Sequence, residues 1–317
     1  MAEPRRVIID TDPGIDDAMA IFYALASPEL DVVGLTTVFG NTHVQLCTTN
    51  ALRLLEIAGR SDIPVAQGAH RPLAMDYLGP ADFVHGTDSQ GNLHLPAPTT
   101  RAVSVDAAHF IVDQVMSSPG EITLLPIGPL TNIALAMMLE PRLAANVAGI
   151  VLMGGNAFCP GNTTPAAEAN IHNDPEAADF VFGAACPIVM AGLDVTEATF
   201  LTGEQIDAIS HLDNPRARHA AAILPQYRAF NSGEAGRDGI HVHDSTVVSY
   251  LIAPQHYRSV SLPIRVDTSD GIGRGKTWPA RRRQHVDAWT GRPDVTILTE
   301  VDADAVVALE LERLGLD

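Results

Sequence analysis

Positive charge is scarce in this sequence. The 317 residues contain 20 Lys and Arg against 38 Asp and Glu, which gives a formal net charge of -18. The one basic cluster is "PARRRQH" at residues 279–285, and three arginines in such a stretch are typical of a solvated surface turn. Proteins that bind nucleic acid or acidic membranes carry a basic patch. The charge balance therefore argues against both partners and favours a substrate that is neutral or bound to a metal ion.

Cysteine is also rare, and long apolar runs are absent. Cys47, Cys159 and Cys186 form no Cys-x-x-Cys pair, which predicts a reducing compartment with neither a disulfide framework nor a thiolate metal site. Only three apolar residues, 7–9, follow the N-terminal arginines, too few for a signal peptide. No apolar run reaches the length of about 20 residues that spans a bilayer. We therefore expect a cytoplasmic protein without a membrane partner.

Short apolar runs alternate with helical patterns along the first two thirds of the chain. The runs that predict strands are 6–10, 31–39, 121–128, 149–155 and 187–192. The patterns that predict helices lie near 15–26, 43–59, 104–117, 129–139 and 174–185. Continuous apolar strands separated by helices indicate a parallel sheet covered on both faces. Because no linker or repeat divides the chain, we expect a single α/β domain over residues 1–317, with a central, mostly parallel sheet flanked by helices.

The last third of the chain has a different pattern. Residues 203–253 are predicted to be mostly helical, with a Gly-rich interruption at 231–244 that is typical of a mobile loop. The remaining sequence predicts strands at 285–289 and 294–299, followed by a helix from about 302 to 314.

The sequence "IIDTDPGIDD" (residues 8–17) places four acids directly after a buried strand. Capping of the following helix accounts for Asp16 and Asp17, since carboxylates stabilise a helix N-terminus. Capping does not account for Asp10 and Asp12. Clustered carboxylates raise one another's pKa or require a cation, and oxygen ligands suit Mg²⁺ or Ca²⁺. Flexible loop carboxylates with a bidentate option favour Ca²⁺.

Four further motifs contain residues that suit a binding site, although each is also compatible with an ordinary structural role. In "HVHD" (241–244), a histidine beside a carboxylate is a natural general acid near neutral pH. In "NTTPAAEAN" (162–170), amides and a carboxylate suit a polyhydroxylated ligand. "HGTD" (85–88) reads as a surface turn, and "LLPIGPLTNIALA" (124–136) as a strand and helix whose turn carbonyls suit a hard cation.

Six motifs taken together resemble the inosine–uridine preferring nucleoside hydrolase family over essentially the whole chain. They are, in order, "DTDPGIDDA", "TTVFGN", "PIGPLTNIA", "VLMGGN", "GNTTPAAEANIHNDPEAA" and "VHD". The resemblance implies one α/β domain, assembly into dimers or tetramers, and a tightly bound Ca²⁺. It also implies hydrolysis of the N-glycosidic bond of ribonucleosides to ribose and free base.

The resemblance implies a role for each matching residue. The Ca²⁺ ligands are matched by Asp12, Asp17 (bidentate), Asp244 and the backbone carbonyl of Ile127. Asp12 also matches the general base that activates the attacking water, and Asp10 an acid at or just behind the metal site. The residues that hold the substrate are matched by Asp16, Asn41, Met153, Asn162, Glu168, Asn170 and Asp244. His243 resembles the acid that assists departure of the base, and His85 a second histidine near it.

The chain departs from the family pattern in three places. Ala169 stands where an aromatic residue is common. Residues 225–240 do not match the base-contacting helix of pyrimidine-specific members, which leaves Tyr227, Phe230 and Asn231 without an assigned role. His241 is an additional histidine, and the preferred base does not follow from the motifs.

Two other functions fit parts of the sequence. A haloacid-dehalogenase-like Mg²⁺ phosphatase also begins with a strand ending in Asp-x-Asp, with Asp10 as nucleophile, but it needs a lysine and the chain has only Lys276. A non-catalytic nucleoside- or sugar-binding protein would need neither Asp12 nor His243.

Overall fold

The apolar runs form strands in the computed structural model, which describes residues 3–280 and 287–315. Within these residues the strands are β1 (Arg5–Thr11), β2 (Leu30–Thr37), β3 (Val65–Gln67), β4 (Ile122–Pro126), β5 (Gly149–Met153), β6 (Ile188–Ala191), β7 (Phe200–Thr202), β8 (Gly239–His241), β9 (Tyr257–Val266), β10 (Thr277–Pro279) and β11 (Asp294–Val301). Nine of these described strands form one sheet in the order β10-β9-β11-β6-β5-β4-β1-β2-β3. The pairs from β3 to β11 are parallel, whereas β9 is antiparallel to both of its neighbours.

The order of the parallel strands determines where a ligand can bind. The chain starts in β1, moves outward through β2 and β3, and then returns to the other side of β1 with β4, β5 and β6. Ligands of open α/β sheets bind at the carboxyl ends of the strands, where the order reverses. In this sheet that crevice lies between β1 and β4, directly beside Asp12 and Ile127.

Helices cover both faces of the sheet. The described helices are α1 (Ile15–Ala26), α2 (Val44–Ile57), α3 (Asp82–His85), α4 (Ala107–Ser117), α5 (Thr131–Leu139), α6 (Leu143–Asn146), α7 (Ala169–Asn173), α8 (Pro175–Phe182), α9 (Leu193–Thr196), α10 (Gly203–Ile209), α11 (Pro215–Ala235), α12 (Ser245–Ile252) and α13 (Ala303–Leu314). Side chains cap several of them. The carboxylate of Asp174 accepts the N–H of Ala177 before Pro175 starts α8.

The core is divided between the two faces of the sheet. Ile9 of β1 packs into one apolar cluster and its neighbour Ile8 into the other, as alternation along a doubly covered strand requires. Across residues 3–280 and 287–315, no helix combines the length and apolar character needed to cross a membrane.

The predicted fold class is confirmed, and the five predicted parallel strands lie within two residues of their observed bounds. Two predictions in the last third are wrong. Residues 287–289 of the predicted strand 285–289 form a 3-10 helix, and residues 285 and 286 lie outside the described residues. The stretch 231–244, predicted as a Gly-rich loop, contains regular structure, because α11 continues to Ala235 and β8 covers Gly239–His241.

Candidate active site

The carboxyl ends of four strands and the start of α12 bring the predicted site residues together. Asp12 follows β1, Asn41 lies in the turn after β2, and Ile127 follows β4. The backbone N–H of Asn41 donates to Asp12 Oδ2 at 2.6 Å. The backbone N–H of Ile127 donates to the carbonyl of Asp10 at 2.8 Å, which continues the β1–β4 pairing to the edge of the crevice.

The first turn of α1 contributes two more acids. Asp17 accepts the hydroxyl of Thr11 at 2.5 Å through Oδ1, and the N–H of Gly14 at 2.9 Å through Oδ2. The side-chain amide of Asn41 donates to the same Oδ2 at 3.0 Å. Asp17 therefore acts as a helix cap, as its position predicts, and also faces the crevice.

We call the edge of the crevice that carries Asp12, Asp16, Asp17 and Asp244 the rim. The acids at this rim repel one another. One carboxylate oxygen from each of Asp16, Asp17 and Asp244 lies within 4.8 Å of the other two. Burial raises the pKa of Asp16 and of Asp17 to about 6, and for Asp17 the charge of Asp16 adds to the effect. Burial, then the charges of Asp16, Asp17, Asp12 and Glu168, raise the pKa of Asp244 well above its usual range. Such a cluster is stable in its charged form only beside a cation.

Two oxygens of the cluster are available to a cation. Asp12 Oδ1 and Asp16 Oδ1 are buried and have no hydrogen-bond partner within residues 3–280 and 287–315. A Cβ on Gly40 or Gly128 would overlap the carboxylate of Asp12, so both glycines leave room for that carboxylate. Oxygen donors alone suit a hard divalent cation. The compact trio contains Asp16, whereas the predicted ligand set contains Asp12.

The predicted carbonyl ligand is already engaged. Asn170 Nδ2 donates to the carbonyl of Ile127 at 3.0 Å and lies 3.3 Å from the carbonyl of Met153. A carbonyl oxygen has a second lone pair, and in residues 3–280 and 287–315 Asn170 is the only donor to the carbonyl of Ile127. The same amide nitrogen lies 3.4 Å from the sulfur of Met153, so Asn170 contacts two other predicted site residues, Ile127 and Met153.

Glu168 organises the loop that precedes α7. Its buried carboxylate accepts the N–H groups of Gly155, Asn170 and Ile171 at 2.8–3.0 Å. Asn162 is exposed, and its side-chain oxygen accepts the N–H of Ala169 at 3.0 Å. The described contacts of Asn162 are therefore within its own loop and not with the acids.

Asp10 lies behind the rim. Its Oδ1 accepts the hydroxyl of Thr36 at 2.5 Å and the amide of Asn132 at 2.7 Å. Burial raises the pKa of Asp10 to about 7. Asn132, which also donates to the carbonyl of Thr37, was not predicted as a site residue. The signal was present in "PIGPLTNIA", where a polar amide occurs on an otherwise apolar helix.

His85 lies against the first turn of α1, with Nδ1 4.0 Å from Asp16 Oδ1. The N–H of Ile15 donates to His85 Nδ1 at 3.2 Å, and burial lowers the pKa of His85 to about 4. The neutral ring therefore carries its proton on Nε2. The ring lies 5.6 Å from that of Tyr227, whose hydroxyl donates to Asp16 at 3.3 Å. Tyr227, which the sequence left without a role, thus belongs to the site.

His243 completes the rim beside Asp244. Its Nδ1 lies 2.8 Å from the hydroxyl of Thr196 at the end of α9, a contact the sequence did not predict. The ring stacks on His241 with centroids 5.5 Å apart. Burial, then the rings of His241 and His85, lower the pKa of His243 to about 3, so the ring is neutral at physiological pH.

The predicted family is confirmed by sequence comparison. The profile of the inosine-uridine preferring nucleoside hydrolase family matches residues 7–308. A probable uridine nucleosidase from Arabidopsis thaliana is 43% identical, covering 99% of this chain and 98% of that protein. A pyrimidine-specific ribonucleoside hydrolase from Photobacterium profundum is 38% identical, covering 98% of this chain and 99% of that protein.

A solved structure gives the same result. A plant nucleoside hydrolase superposes with a TM-score of 0.95 at 38% identity, covering 99% of this chain and 100% of that one. The matches run through every motif described above, and the acid cluster lies at the predicted edge of the sheet. The chain therefore belongs to the inosine–uridine preferring nucleoside hydrolase family and is an enzyme of the nucleoside hydrolase class.

Proposed function

We propose that this enzyme is a Ca²⁺-dependent hydrolase of the N-glycosidic bond of ribonucleosides, and that uridine is among its preferred substrates. The main support is the cluster of buried acids at the crevice between β1 and β4, where two carboxylate oxygens have no hydrogen-bond partner among the described residues. We propose uridine because one relative is a probable uridine nucleosidase and the other is a pyrimidine-specific ribonucleoside hydrolase.

Cleavage of a riboside passes through an oxocarbenium-like state, in which positive charge develops on the sugar. The carboxylates of Asp12, Asp16 and Asp244 would lie beside that charge and stabilise it. Asp12 is the proposed general base, because Oδ1 is unoccupied while Oδ2 is fixed by the N–H of Asn41. Asp16, Asn41, Met153, Asn162, Glu168 and Asn170 are the proposed ribose-holding residues.

The cation would be held by Asp12, Asp17, Asp244 and the carbonyl of Ile127. Bound there, Ca²⁺ would orient the 2′- and 3′-hydroxyls of ribose and make a neighbouring water more acidic. His243 and His85 are proposed to face the base, because His243 directly precedes Asp244, His85 Nδ1 lies 4.0 Å from Asp16 Oδ1, and each neutral ring carries a single proton. Assembly into dimers or tetramers and a cytoplasmic location stay predictions from the sequence.

Steady-state kinetics test this proposal. Uridine, cytidine, inosine, adenosine, guanosine and nicotinamide riboside would be compared by the ribose released, with p-nitrophenyl phosphate as the substrate of the rival phosphatase. We expect turnover of ribonucleosides, with uridine among the best, and no release of phosphate. Turnover of p-nitrophenyl phosphate alone would contradict the proposal, and a purine preference would contradict only its uridine part.

The structure gives no support to the phosphatase alternative. The single lysine, Lys276, donates to the carbonyls of Asn156 and Cys159 at 2.6 and 2.9 Å. Its ammonium group therefore stabilises the loop after β5 and is not paired with Asp10.

A further inference from the structure

Thr196 is held rigidly at the end of α9. Its side chain is fully buried, and its N–H donates to the carbonyl of Gly192 at 3.1 Å. Its own carbonyl accepts the hydroxyl of Thr199 at 2.8 Å. The position of the Thr196 hydroxyl is therefore set by the backbone that follows β6.

That hydroxyl lies 2.8 Å from Nδ1 of His243, which is its recorded partner within the described residues. If Nδ1 carried the ring proton and donated it to Thr196, the buried hydroxyl proton would have no acceptor. A buried donor left without an acceptor is strongly disfavoured. The favourable arrangement is therefore a hydroxyl that donates to a bare Nδ1.

A neutral imidazole carries one proton, so a bare Nδ1 places that proton on Nε2. No hydrogen bond to Nε2 is formed within residues 3–280 and 287–315, and the His243 side chain is half-buried. The face of the ring is occupied by His241, which stacks at an interplanar angle of 27°. The ring is thus fixed from two sides, and its one N–H is left for a ligand.

We propose that Thr196 is a positioning residue for the reaction, because its hydroxyl sets the tautomer and the orientation of His243. If the proposed function holds, the N–H at Nε2 of His243 donates to the departing nucleobase. In that step water oxygen bonds to C1′, its proton passes to Asp12, and the C1′–N bond breaks with its electron pair on the base. His243 donates a hydrogen bond to the base and keeps its proton, and the base is later protonated by solvent.

Kinetics with two leaving groups test this role. A Thr196→Val variant keeps the shape of the side chain and loses the hydroxyl, whereas Thr196→Ser restores it. We expect Thr196→Val to lower kcat for uridine about tenfold, the effect of one hydrogen bond. Because p-nitrophenolate leaves without assistance, kcat for p-nitrophenyl riboside should change less than about threefold. Thr196→Ser should stay within about threefold of the wild type for both substrates.

Thr48→Val is the matched control, since it removes a buried threonine hydroxyl whose partners, Val44, Thr37 and Gln67, hold neither Thr196 nor His243. It should leave the ratio of the two substrates unchanged. An equal loss for both substrates in Thr196→Val, no loss for uridine, or failure of Thr196→Ser to restore the rate would overturn the proposal.

The tautomer can be measured in the wild-type enzyme without a change at Thr196. The ¹⁵N shifts of the imidazole of His243, identified by its absence in His243→Gln, should be those of a ring protonated at Nε2. A ring protonated at Nδ1 would overturn the inference whatever the kinetics show. Failure of the proposed function would be recognised separately, because the wild type would then hydrolyse neither riboside.

Discussion

The four acids of residues 10–17 differ in what their carboxylates contact. Asp10 is engaged by Thr36 and Asn132, and Asp17 by Thr11, Gly14 and Asn41. In Asp12 one oxygen is fixed by Asn41 and the other has no hydrogen-bond partner among the residues that the structure describes. Burial, then the charges of Asp17 and Asp16, raise the pKa of Asp12 well above its usual range. A buried carboxylate of this kind destabilises the fold when no cation is near, and its raised pKa suits a proton acceptor.

The variant Asp12→Asn separates catalysis from stability. Losing the proposed general base should lower kcat for ribonucleosides by about 10³-fold. Because the change also removes one of several repelling charges, Tm of the metal-free variant should not fall below that of the wild type. Asp31→Asn, at an exposed position of β2, should change neither quantity. Near-normal turnover by Asp12→Asn would exclude Asp12 as the base.

Glu310 is a buried acid that lies away from the rim. Glu310 of α13 accepts the hydroxyl of Ser245 at 2.6 Å, and burial raises its pKa to about 7 from an ordinary value of 4.5. In the folded state the group stays protonated at pH values where the unfolded chain has already ionised. Its contribution therefore lowers the free energy of unfolding progressively as the pH rises from about 4.5 to about 7.

Glu310→Gln should remove this pH dependence while keeping an oxygen for Ser245. We expect the variant to match the wild type near pH 4.5 and to be more stable at pH 8 by about 3 kcal/mol, the equivalent of the pKa shift. Urea titrations at a series of pH values measure this difference. Glu312→Gln, on an exposed part of the same helix, is the control and should show no such gain. A difference that does not grow with pH would contradict the prediction.

At the scale of elements, the turns after β2 and β4 shape the space around Asp12. Gly40 and Gly128 each face the Asp12 carboxylate at a distance that leaves no room for a Cβ. The turn after β2 is also held by Tyr77, whose hydroxyl donates to the carbonyl of Gly40 at 2.8 Å. The two turns therefore act as a rigid cradle for the carboxylate.

Gly40→Ala should displace the Asp12 carboxylate and break its hydrogen bond with the N–H of Asn41. We expect kcat/KM for ribonucleosides to fall about 100-fold, together with an overpacking cost of about 1–3 kcal/mol. Kinetics and thermal unfolding measure the two effects. Unchanged activity would show that the position of Asp12 in the crevice does not matter for the reaction.

Gly233→Ala, a glycine substitution in a helix, is the control for Gly40→Ala. Gly233 lies within α11, with no atom near the position of an added Cβ. The free energy of unfolding should therefore increase by about 0.5–1 kcal/mol through the lower entropy of the unfolded chain. Activity should not change, so that a loss in Gly40→Ala can be ascribed to its place beside Asp12.

The elements that the sequence predicted well are those whose pattern reflects burial on both sides. Strands β1, β4 and β5 are continuous apolar runs between helices, and this pattern has one interpretation in an α/β chain. The edge strands β3 and β10 have three residues each, too few to show a pattern. Strand β9 exposes much of its length and contains Pro263, so its sequence does not resemble a buried strand.

The same limit applies to the site. The strand pattern indicated that the acids of residues 10–17 would lie near Asn41, because the carboxyl ends of parallel strands share one edge. Ile127 and Asp244 were assigned to the site by the family resemblance. The contacts of Thr196 with His243 and of Asn132 with Asp10 join residues 47 and 122 positions apart. Pairings of this kind depend on how helices dock onto the sheet, and a single sequence carries no record of them.

At the scale of the whole molecule, the net charge of -18 and the acid cluster combine in one effect. An acidic protein attracts cations, and the crevice concentrates that field on buried carboxylates. The charged neighbours that raise the pKa of Asp244 most are all acids, namely Asp16, Asp17, Asp12 and Glu168. A bound divalent cation should therefore stabilise the fold as well as the transition state, since the folded chain binds it and the unfolded chain does not.

Chelator-treated enzyme should accordingly lose turnover and have a lower Tm, and Ca²⁺ should restore both. At a free concentration about 100 times its Kd, Ca²⁺ should add about 2.7 kcal/mol to the free energy of unfolding.

The Asp244→Asn variant should differ from the wild type in two ways. Its Tm without metal should be higher because one repelling charge is gone, and its Tm increase with Ca²⁺ should be smaller. Asp31→Asn should respond to Ca²⁺ as the wild type does. Full turnover in metal-free enzyme would refute the dependence, whereas an equal Tm increase in Asp244→Asn would place the ion elsewhere than at these acids.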